Sequence, residues 1–302
     1  MLHYRLYNCK KGKVMPKVDI ITPAYNTQEY IKDSIDSVLS QTFEDFNFII
    51  INDGSTDDTG SIIDSYDDER IIHIELEENA GIATALNIGL MHTESDFVAR
   101  FDSDDIMFSD RLEKQLRYLN NHPEVDILGG SMCTYMGKNH TCSQPNVIHD
   151  HKRIKTALML TYPMAHPTIM MRKKVADSFR YDGRFIASED LEAWTRLIHH
   201  FTFANMNENL VHYRMRPDSE TSTHIQSDEW VNSIYTIYQN YYNSLGIDDD
   251  VSPIVAMKIN GKVNNSAEMI FYHILDNYKE FDIDPKLLYN LCLLYTSPSP
   301  RD

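Results

Sequence analysis

Cysteine is scarce: Cys9, Cys133, Cys142 and Cys292 are the four in 302 residues. No two stand in Cys-x-x-Cys spacing, and so low a density excludes a disulfide-built scaffold, so reduced thiols in a cytosolic compartment are expected. No stretch approaches the ~18 consecutive apolar residues of a membrane span, and the chain reads as soluble. The N-terminal Met1–Lys13 carries basic residues but lacks the roughly 7–15-residue apolar run of a secretory signal. Positive charge is also short, with 28 Lys and Arg against 45 Asp and Glu and a net charge of −17. A surface that acidic repels phosphate backbones and argues against nucleic acid as a partner. Four catalytic signatures are missing: Gly-x-x-x-x-Gly-Lys-Ser/Thr, Gly-x-Gly-x-x-Gly after the first strand, His-Glu-x-x-His and Gly-x-Ser-x-Gly. P-loop hydrolysis, dinucleotide redox chemistry, zinc proteolysis and serine hydrolysis lose their usual support.

What is present is 42% apolar residue content, enough in a chain this long for a substantial core. Ordered patterning starts at residue 16. Residues 1–15 read as an extension, with Met15 an alternative start, and residues 297–302 (Ser-Pro-Ser-Pro-Arg-Asp) read as a scar or frayed end. Apolar runs at Val18–Thr22, Phe46–Ile51, Ile71–Ile74 and Phe97–Phe101 predict strands. Each is followed by a helical pattern: from Asn26, with Glu29 three residues on as in a capping box; from Ser55; from Gly81; and through Leu112, Leu116 and Leu119. This alternation predicts a parallel α/β sheet with right-handed crossovers. Strands are also expected over Val125–Tyr135, His166–Met171 and Leu210–Met215, a helix capped by Ser188, and helices rich in tyrosine from Glu229 onward.

The polar clusters fall after strands or before helices, so the fold should gather them at one sheet edge, where such folds bind ligands. Asp102-Ser103-Asp104-Asp105 sets three carboxylates within four residues, whose mutual repulsion a hard cation would relieve. A solvated acidic turn is the alternative. Asp53 ends a buried strand and is suited to a base or ribose, whereas Ser55, Asp57 and Asp58 are explained by the helix dipole. Ser188-Glu189-Asp190 is either dipole compensation or a general base kept ionised by a helix N-terminus. His166-Pro167 reads as a corner, and His149-Asp150-His151 as a solvated helix start.

In order and spacing, Ile20-Ile-Thr-Pro-Ala-Tyr-Asn26, Asn52–Asp57, Asn79-Ala-Gly81, Asp102–Asp105 and Ser188–Asp190 resemble the family 2 glycosyltransferases of the GT-A fold. The resemblance covers about residues 16 to 220 and implies a mostly parallel, Rossmann-like sheet flanked by helices, with a helical C-terminal appendage. It divides the chain into a transferase domain over 16–222 (a nucleotide-binding half, 16–122, and an acceptor half, 123–222) and a helical region over 223–296. It implies inverting transfer of a sugar from a nucleotide-diphosphate sugar, a UDP-sugar, to a hydroxyl of a glycan or lipid-linked acceptor in surface polysaccharide synthesis.

Carried over by position, Pro23, Ala24, Tyr25 and Asn26 lie along the nucleotide base, Asp53 recognises uracil and its ribose, and Asn79 and Gly81 line the donor site. Asp102 and Asp104 form the Asp-x-Asp motif for Mn²⁺ or Mg²⁺, with Asp104 the direct ligand; Arg100 and Ser103 join them on the donor side. Asp190 is the catalytic base, and Glu189, His166 and Trp194 border the acceptor. Where relatives carry His after Tyr-Arg, this chain has Arg216 in Tyr213-Arg-Met-Arg216, so Arg214 and Arg216 are expected over the diphosphate. The competing readings are a sugar-nucleotide nucleotidyltransferase, which wants a Gly-rich basic loop after the first strand; a dehalogenase-like phosphatase, whose Asp-x-Asp follows its first strand; and a catalytically silent binding module. Trp230, Ile234, Ile237 and Tyr241 lie at helical spacing and form either a packing face or a surface for peripheral docking at a membrane, at the inner face, or on a partner.

Overall fold

The computed structural model describes residues 4–7, 15–136, 139–142, 147–216, 219, 223–225, 227–260 and 265–296. By contact the chain forms two compact units that interleave in sequence. One comprises Met1–Val147, Met164–Gly183 and Phe201–Arg216, the other Ile148–Pro163, Arg184–His200 and Pro217–Asp302. This division cuts across the consecutive segments drawn from the sequence. The expected tail, 297–302, lies outside the described residues.

The first unit is α/β. Its elements are β1 (Tyr4–Tyr7), β2 (Val18–Ala24), α1 (Ile31–Leu39), β3 (Phe46–Asn52), α2 (Thr59–Asp64), β4 (Ile71–Leu76), α3 (Ile82–Met91), β5 (Phe97–Arg100), β6 (Ile106–Met107), α4 (Arg111–Asn121), β7 (Ile127–Met136), β8 (Asn139–Thr141), β9 (Met170–Arg172), a short helix Lys173–Ser178, and β10 (Phe203–Arg214). The sheet order is β1-β4-β3-β2-β5-β9-β7-β10-β6, with β8 beside β7. Neighbours among β4, β3, β2 and β5 are parallel, as the strand–helix alternation requires. β7 and β10 are also parallel, while β9 runs antiparallel to both β5 and β7.

Every residue of β2 is buried, as in a strand covered on both faces. Ile20, Phe48 and Ile50 join a core with Ile31, Ile35 and Val38 of α1 and with Leu112, Leu116 and Leu119 of α4. Ile21 and Ile51 meet α3 on the other face, where a Cβ at Gly89 would lie 2.9 Å from Ile51 Cδ1. That glycine lets the helix sit close on the sheet.

Several local expectations change. The stretch set aside as an extension contains β1, which pairs antiparallel with β4. The first helix begins at Ile31 rather than Asn26, because Asn26 adopts a left-handed conformation (φ 49°) and its Oδ1 accepts from the Thr56 amide at 2.9 Å. Ser55 caps nothing; α2 starts at Thr59, and Ser55 Oγ accepts from the Asn26 amide at 3.0 Å. Cross-loop bonds thus displace local capping at both places. His166–Thr168 is a 3₁₀ turn instead of a strand start. Pro167 brings no N–H to a ladder, so β9 begins only at Met170.

Cys133 and Cys142 are joined by a disulfide, against the expectation of reduced thiols. The cause is tertiary: the β7–β8 pairing places Thr134 opposite Thr141 and brings the two cysteines together one pair further on.

The second unit is helical in its described residues: α5 (His151–Ala157), α6 (Glu189–Leu197), α7 (Asp228–Ser244), α8 (Ser252–Asn260), α9 (Asn265–Asp276) and α10 (Pro285–Thr296). Asp150 caps α5 by accepting from the Arg153 amide at 2.9 Å, which makes His149–His151 the helix start expected. Trp230, Ile234, Ile237 and Tyr241 are all buried, so that stripe of α7 is a packing face and not a docking surface. Buried tyrosines need a partner for the hydroxyl. Tyr241 Oη donates to the Lys155 carbonyl at 2.6 Å and Tyr242 Oη to that of Met159 at 3.2 Å, which ties α7 to α5 and the turn after it. No helix among the described residues is long and apolar enough to cross a membrane.

Candidate functional site

In the α/β unit the loops that follow β2, β3 and β4 are stitched to one another. Asp53, 2% exposed, follows β3. Its carboxylate accepts from the Ala80 amide at 2.8 Å and the Gly81 amide at 2.9 Å. Burial raises the Asp53 pKa while those two amides pull it back. One carboxylate therefore fixes the Asn79–Gly81 segment.

Gly54 makes the approach possible. Its φ is +65°, and a Cβ there would fall 2.4 Å from the Glu78 carbonyl carbon. Pro23 and Ala24 end β2, and Tyr25 is exposed beside them. Asn26 crosses to Ser55 and Thr56, so the stretches expected along the base and ribose are one bonded assembly.

The acidic loop leaves β5. Asp102, Asp104 and Asp105 each bring a carboxylate oxygen within 4.8 Å of the other two. Arg100, buried at the end of β5, pairs with Asp102. Arg111, wholly buried, donates from Nη2 to the Arg100 carbonyl at 2.8 Å and from Nε to Gln115 Oε1 at 2.9 Å, and so anchors the strand end. Burial, then the Arg100 charge, lowers its pKa to about 9, which leaves it protonated at neutral pH. Ser103 is buried in the loop.

Like charges packed at low exposure resist ionisation. Burial first, then the Asp102 charge, pushes Asp104 up to about 6, against the pull of Arg216 and Arg100. Asp105, 0% exposed, is raised well above its ordinary value by burial and by Asp102 and Asp104.

The C-terminal end of β10 supplies counter-charge. Arg216 Nε lies 2.9 Å from Asp104 Oδ2. The Arg214 amide donates to Asp105 Oδ1 and its Nε to the Asp104 carbonyl, both at 2.8 Å. The Arg214 guanidinium lies 4.7 Å from the Tyr30 ring centre and 4.5 Å from that of Tyr135, and Arg216 lies 5.0 Å from Tyr30. Such stacking is worth roughly 0.5–2 kcal/mol and fixes planar guanidinium groups.

Asp105 enters the sequence reading as the third carboxylate of the acidic run, while Tyr30 and Tyr135 have no role in it. The two tyrosines carry no local signal, since their partners come from β10, some 80 to 190 residues on.

The carboxylate loop fits a hard divalent cation. Three oxygen donors converge, and Asp105 Oδ2 is buried without a hydrogen-bond partner among the described residues. A separate cavity of about 530 Å³ opens at the amino end of β3, lined by Phe46, Arg70, Asp68 and neighbours, and does not involve this loop.

His166 belongs to the same unit, nearly buried, with Nε2 2.9 Å from Tyr181 Oη. Burial and the Arg100 charge hold its pKa well below 6.5, so it is neutral.

The remaining expected residues belong to the helical unit. Ser188 is the N-cap of α6, but its Oγ donates to the Ala187 carbonyl at 2.8 Å instead of capping, and Ala187 is left-handed (φ 51°). Glu189 is buried. Asp190 is half-buried in the first turn, its Oδ1 accepting from the Leu191 amide at 2.7 Å. An amide donor and the positive end of the helix both favour its ionised form. Trp194 is 1% exposed on the buried face of α6 with Leu191 and Leu197, and it is a core residue rather than the acceptor contact expected.

With this geometry in hand, the chain compares with known proteins as follows. The model of "Glycosyl transferase family 2" matches residues 19–179. A Bacillus subtilis protein named putative teichuronic acid biosynthesis glycosyltransferase TuaG is 32% identical over 225 residues, 71% of this chain and 83% of that protein. The fold is similar to S. aureus TarS 1–349, solved in complex with UDP-GlcNAc, at 16% identity and a TM-score of 0.64 over 92% of each chain. It is also similar to the mannosyltransferase PcManGT from Pyrobaculum calidifontis, solved with GDP-Man and Mn²⁺, at 14% identity and a TM-score of 0.57 over 93% of this chain and 87% of that one.

Proposed function

The chain belongs to glycosyl transferase family 2 and is a glycosyltransferase, and from that premise we propose inverting transfer from a UDP-sugar to a hydroxyl of a glycan or lipid-linked acceptor in surface polysaccharide synthesis. The observation that carries the reading is the loop after β5, with three converging carboxylates, a buried oxygen of Asp105 left over, and two arginines of β10 laid against it. A phosphatase of the Asp-x-Asp type would carry that loop after its first strand; here it follows β5.

Asp102, Asp104 and Asp105 would hold Mn²⁺ or Mg²⁺. When bound, such an ion neutralises charge on a departing nucleoside diphosphate. Pro23, Ala24, Tyr25 and Asn26 provide the surface for the base. Asp53 holds the Asn79–Gly81 segment that borders it, and its own contact to uracil or ribose is part of the proposal. Arg214 and Arg216, fixed by Tyr30 and Tyr135, are aimed at the diphosphate. Arg stands here in place of the His of relatives, and its planar fork suits phosphate oxygens. Asp190, ionised at the start of α6, takes the proton from the attacking hydroxyl, and Glu189 orients the acceptor. Positioned base catalysis contributes about 10²–10⁴ in rate.

The named activities of relatives support the chemical class: TuaG is named for teichuronic acid biosynthesis, and TarS and PcManGT were solved with nucleotide sugars. Thermal shift against a panel of nucleotide sugars, with and without Mn²⁺, tests the donor. A ligand at about a hundredfold its dissociation constant stabilises by about 2.7 kcal/mol. UDP-sugars should raise the melting temperature only with metal. No shift with any UDP-sugar in the presence of Mn²⁺ would remove the assignment.

A further inference from the structure

Away from the carboxylate loop, three soft-ligand side chains form a row across three neighbouring strands. Cys133 of β7 is in register with His212 of β10, so their side chains share one face of the sheet. On the other side of β7, the pairing of Thr134 with Thr141 puts Cys142 opposite Cys133. One ligand atom from each of the three lies within 4.8 Å of the other two. The His212 ring is stacked on Phe108 with centroids 4.2 Å apart and planes 15° from parallel, which fixes its orientation. Cys133 is buried, His212 half-buried and Cys142 exposed, so the row opens to solvent at one end. All three residues belong to the α/β unit, and the proposed transfer uses none of them.

We propose that, with the Cys133–Cys142 bond reduced, this row is a binding site for a thiophilic divalent cation of the zinc class. The ligands are two thiolates and the His212 imidazole, with solvent in the fourth position. Zinc–sulfur distances near 2.3 Å and zinc–nitrogen distances near 2.0–2.1 Å put the donors of a tetrahedral site roughly 3.5–3.8 Å apart. That separation falls inside the spread already present in the row.

Reaching it requires the two sulfurs to part from bonding distance, and Cys142, exposed just beyond the short β8, is the one placed to move. The disulfide and the metal-bound form exclude each other, because each sulfur spends the same electron pair. Reduction by a phosphine gives two thiols and the phosphine oxide, with water supplying the oxygen and the two protons. Metal binding then releases the two thiol protons.

The donor set also keeps the site apart from the carboxylate loop. Thiolate and imidazole favour zinc and cobalt, whereas three carboxylates favour Mg²⁺ and Mn²⁺. Two cation sites of different taste would thus lie in one unit. They are joined by β10, on which His212 stands two residues before the Arg214 whose amide binds Asp105.

The test uses the full chain, reduced with a phosphine under anaerobic conditions, freed of reductant and titrated with Co²⁺ alone. The expected result is a near-ultraviolet thiolate-to-cobalt charge-transfer band with the visible bands of tetrahedral cobalt. It should saturate at one equivalent and bleach on adding one equivalent of Zn²⁺. Oxidised protein should give no such band. Removing an outer-shell partner of a metal typically costs 10–100-fold in affinity, so loss of a ligand in C142S or H212N should cost at least about tenfold.

C292S and D104N should leave the band unchanged, the first because Cys292 stands on α10, outside the three strands that form the row, the second because carboxylates give no thiolate transition. Both key variants alter residues that are not fully buried, and circular dichroism checks that they fold. The proposal is overturned if the reduced wild-type chain shows no thiolate–cobalt band, or if the band survives C142S and H212N and disappears in C292S.

Discussion

The two units use charge in opposite ways. In the α/β unit the polar side chains of interest bond to one another or to backbone at short range: Asp53 to Ala80 and Gly81, Arg214 to Asp105, Arg216 to Asp104. Carboxylates there are crowded and their ionisation is resisted. In the helical unit Glu189, Asp190 and Glu192 share the first turn of α6, where the backbone favours the charge of Asp190, while Leu191, Ala193, Trp194 and Leu197 pack on its buried face. The proposed mechanism rests on that contrast, with a cation held in one unit and a base kept ionised in the other.

The sharpest way to break the contrast is Asp190→Asn, which should lower turnover by about 10²–10⁴ with folding stability nearly unchanged. Donor hydrolysis rates alongside thermal melts check it. Trp194→Ala should do the reverse, destabilising the helical unit by about 3–5 kcal/mol through lost burial and a cavity. Denaturant titration measures the cost, and metal-dependent UDP binding should outlast it. Gly54→Ala attacks the α/β unit by forcing a Cβ onto the Glu78 backbone at a left-handed φ. A loss of about 1–3 kcal/mol is expected, together with weaker UDP binding.

Asp104→Asn should have a smaller and opposite effect on stability. Its carboxyl titrates near 6 in the fold against 3.8 ordinarily, so ionisation at neutral pH opposes folding. The variant without metal should therefore be more stable at pH 7, by on the order of 1–2 kcal/mol, and the gain should vanish below about pH 3, where the carboxyl is protonated in both states.

The mildest test concerns His166. Burial holds it neutral in the fold, whereas the unfolded chain takes up a proton near 6.5. The unfolded state then binds more protons as pH falls, so this contribution to stability is complete above 6.5 and declines below it. His166→Gln should flatten that part of the stability–pH curve, measured by urea midpoints across the range.

Much of the α/β unit was legible because a buried parallel strand announces itself as an apolar run and its C-terminal end as a polar cluster. The four strands from Val18 to Arg100 and the leucine face of α4 follow that logic. What failed was decided by partners distant in sequence. Asn26 and Ser55 look like helix caps, yet each is spent on the other's loop. Cys133 and Cys142 show no recognised spacing and meet only through the β7–β8 hairpin.

The edge strand β1 also depends on a remote partner, β4, and nothing in Tyr4–Tyr7 itself announced it. In the candidate site, Asp102, Asp104 and Asp53 could be named from the sequence. Tyr30 and Tyr135 could not, since a ring's use as a platform for arginine is fixed only when β10 arrives beside it. Helical spacing puts Trp194 on an apolar face with Leu191 and Leu197, in keeping with their burial, whereas its place at the acceptor comes only with the family resemblance.

The most direct test of the division of labour compares Asp104→Asn and Asp190→Asn in one experiment, titrating UDP calorimetrically in the presence of Mn²⁺ and then following hydrolysis of a labelled UDP-sugar. Asp104→Asn should lose metal-dependent UDP binding, while Asp190→Asn binds UDP as the wild type does and hydrolyses donor at least about a hundredfold more slowly. Wild-type hydrolysis by Asp190→Asn, or unaltered UDP binding by Asp104→Asn, would contradict the account.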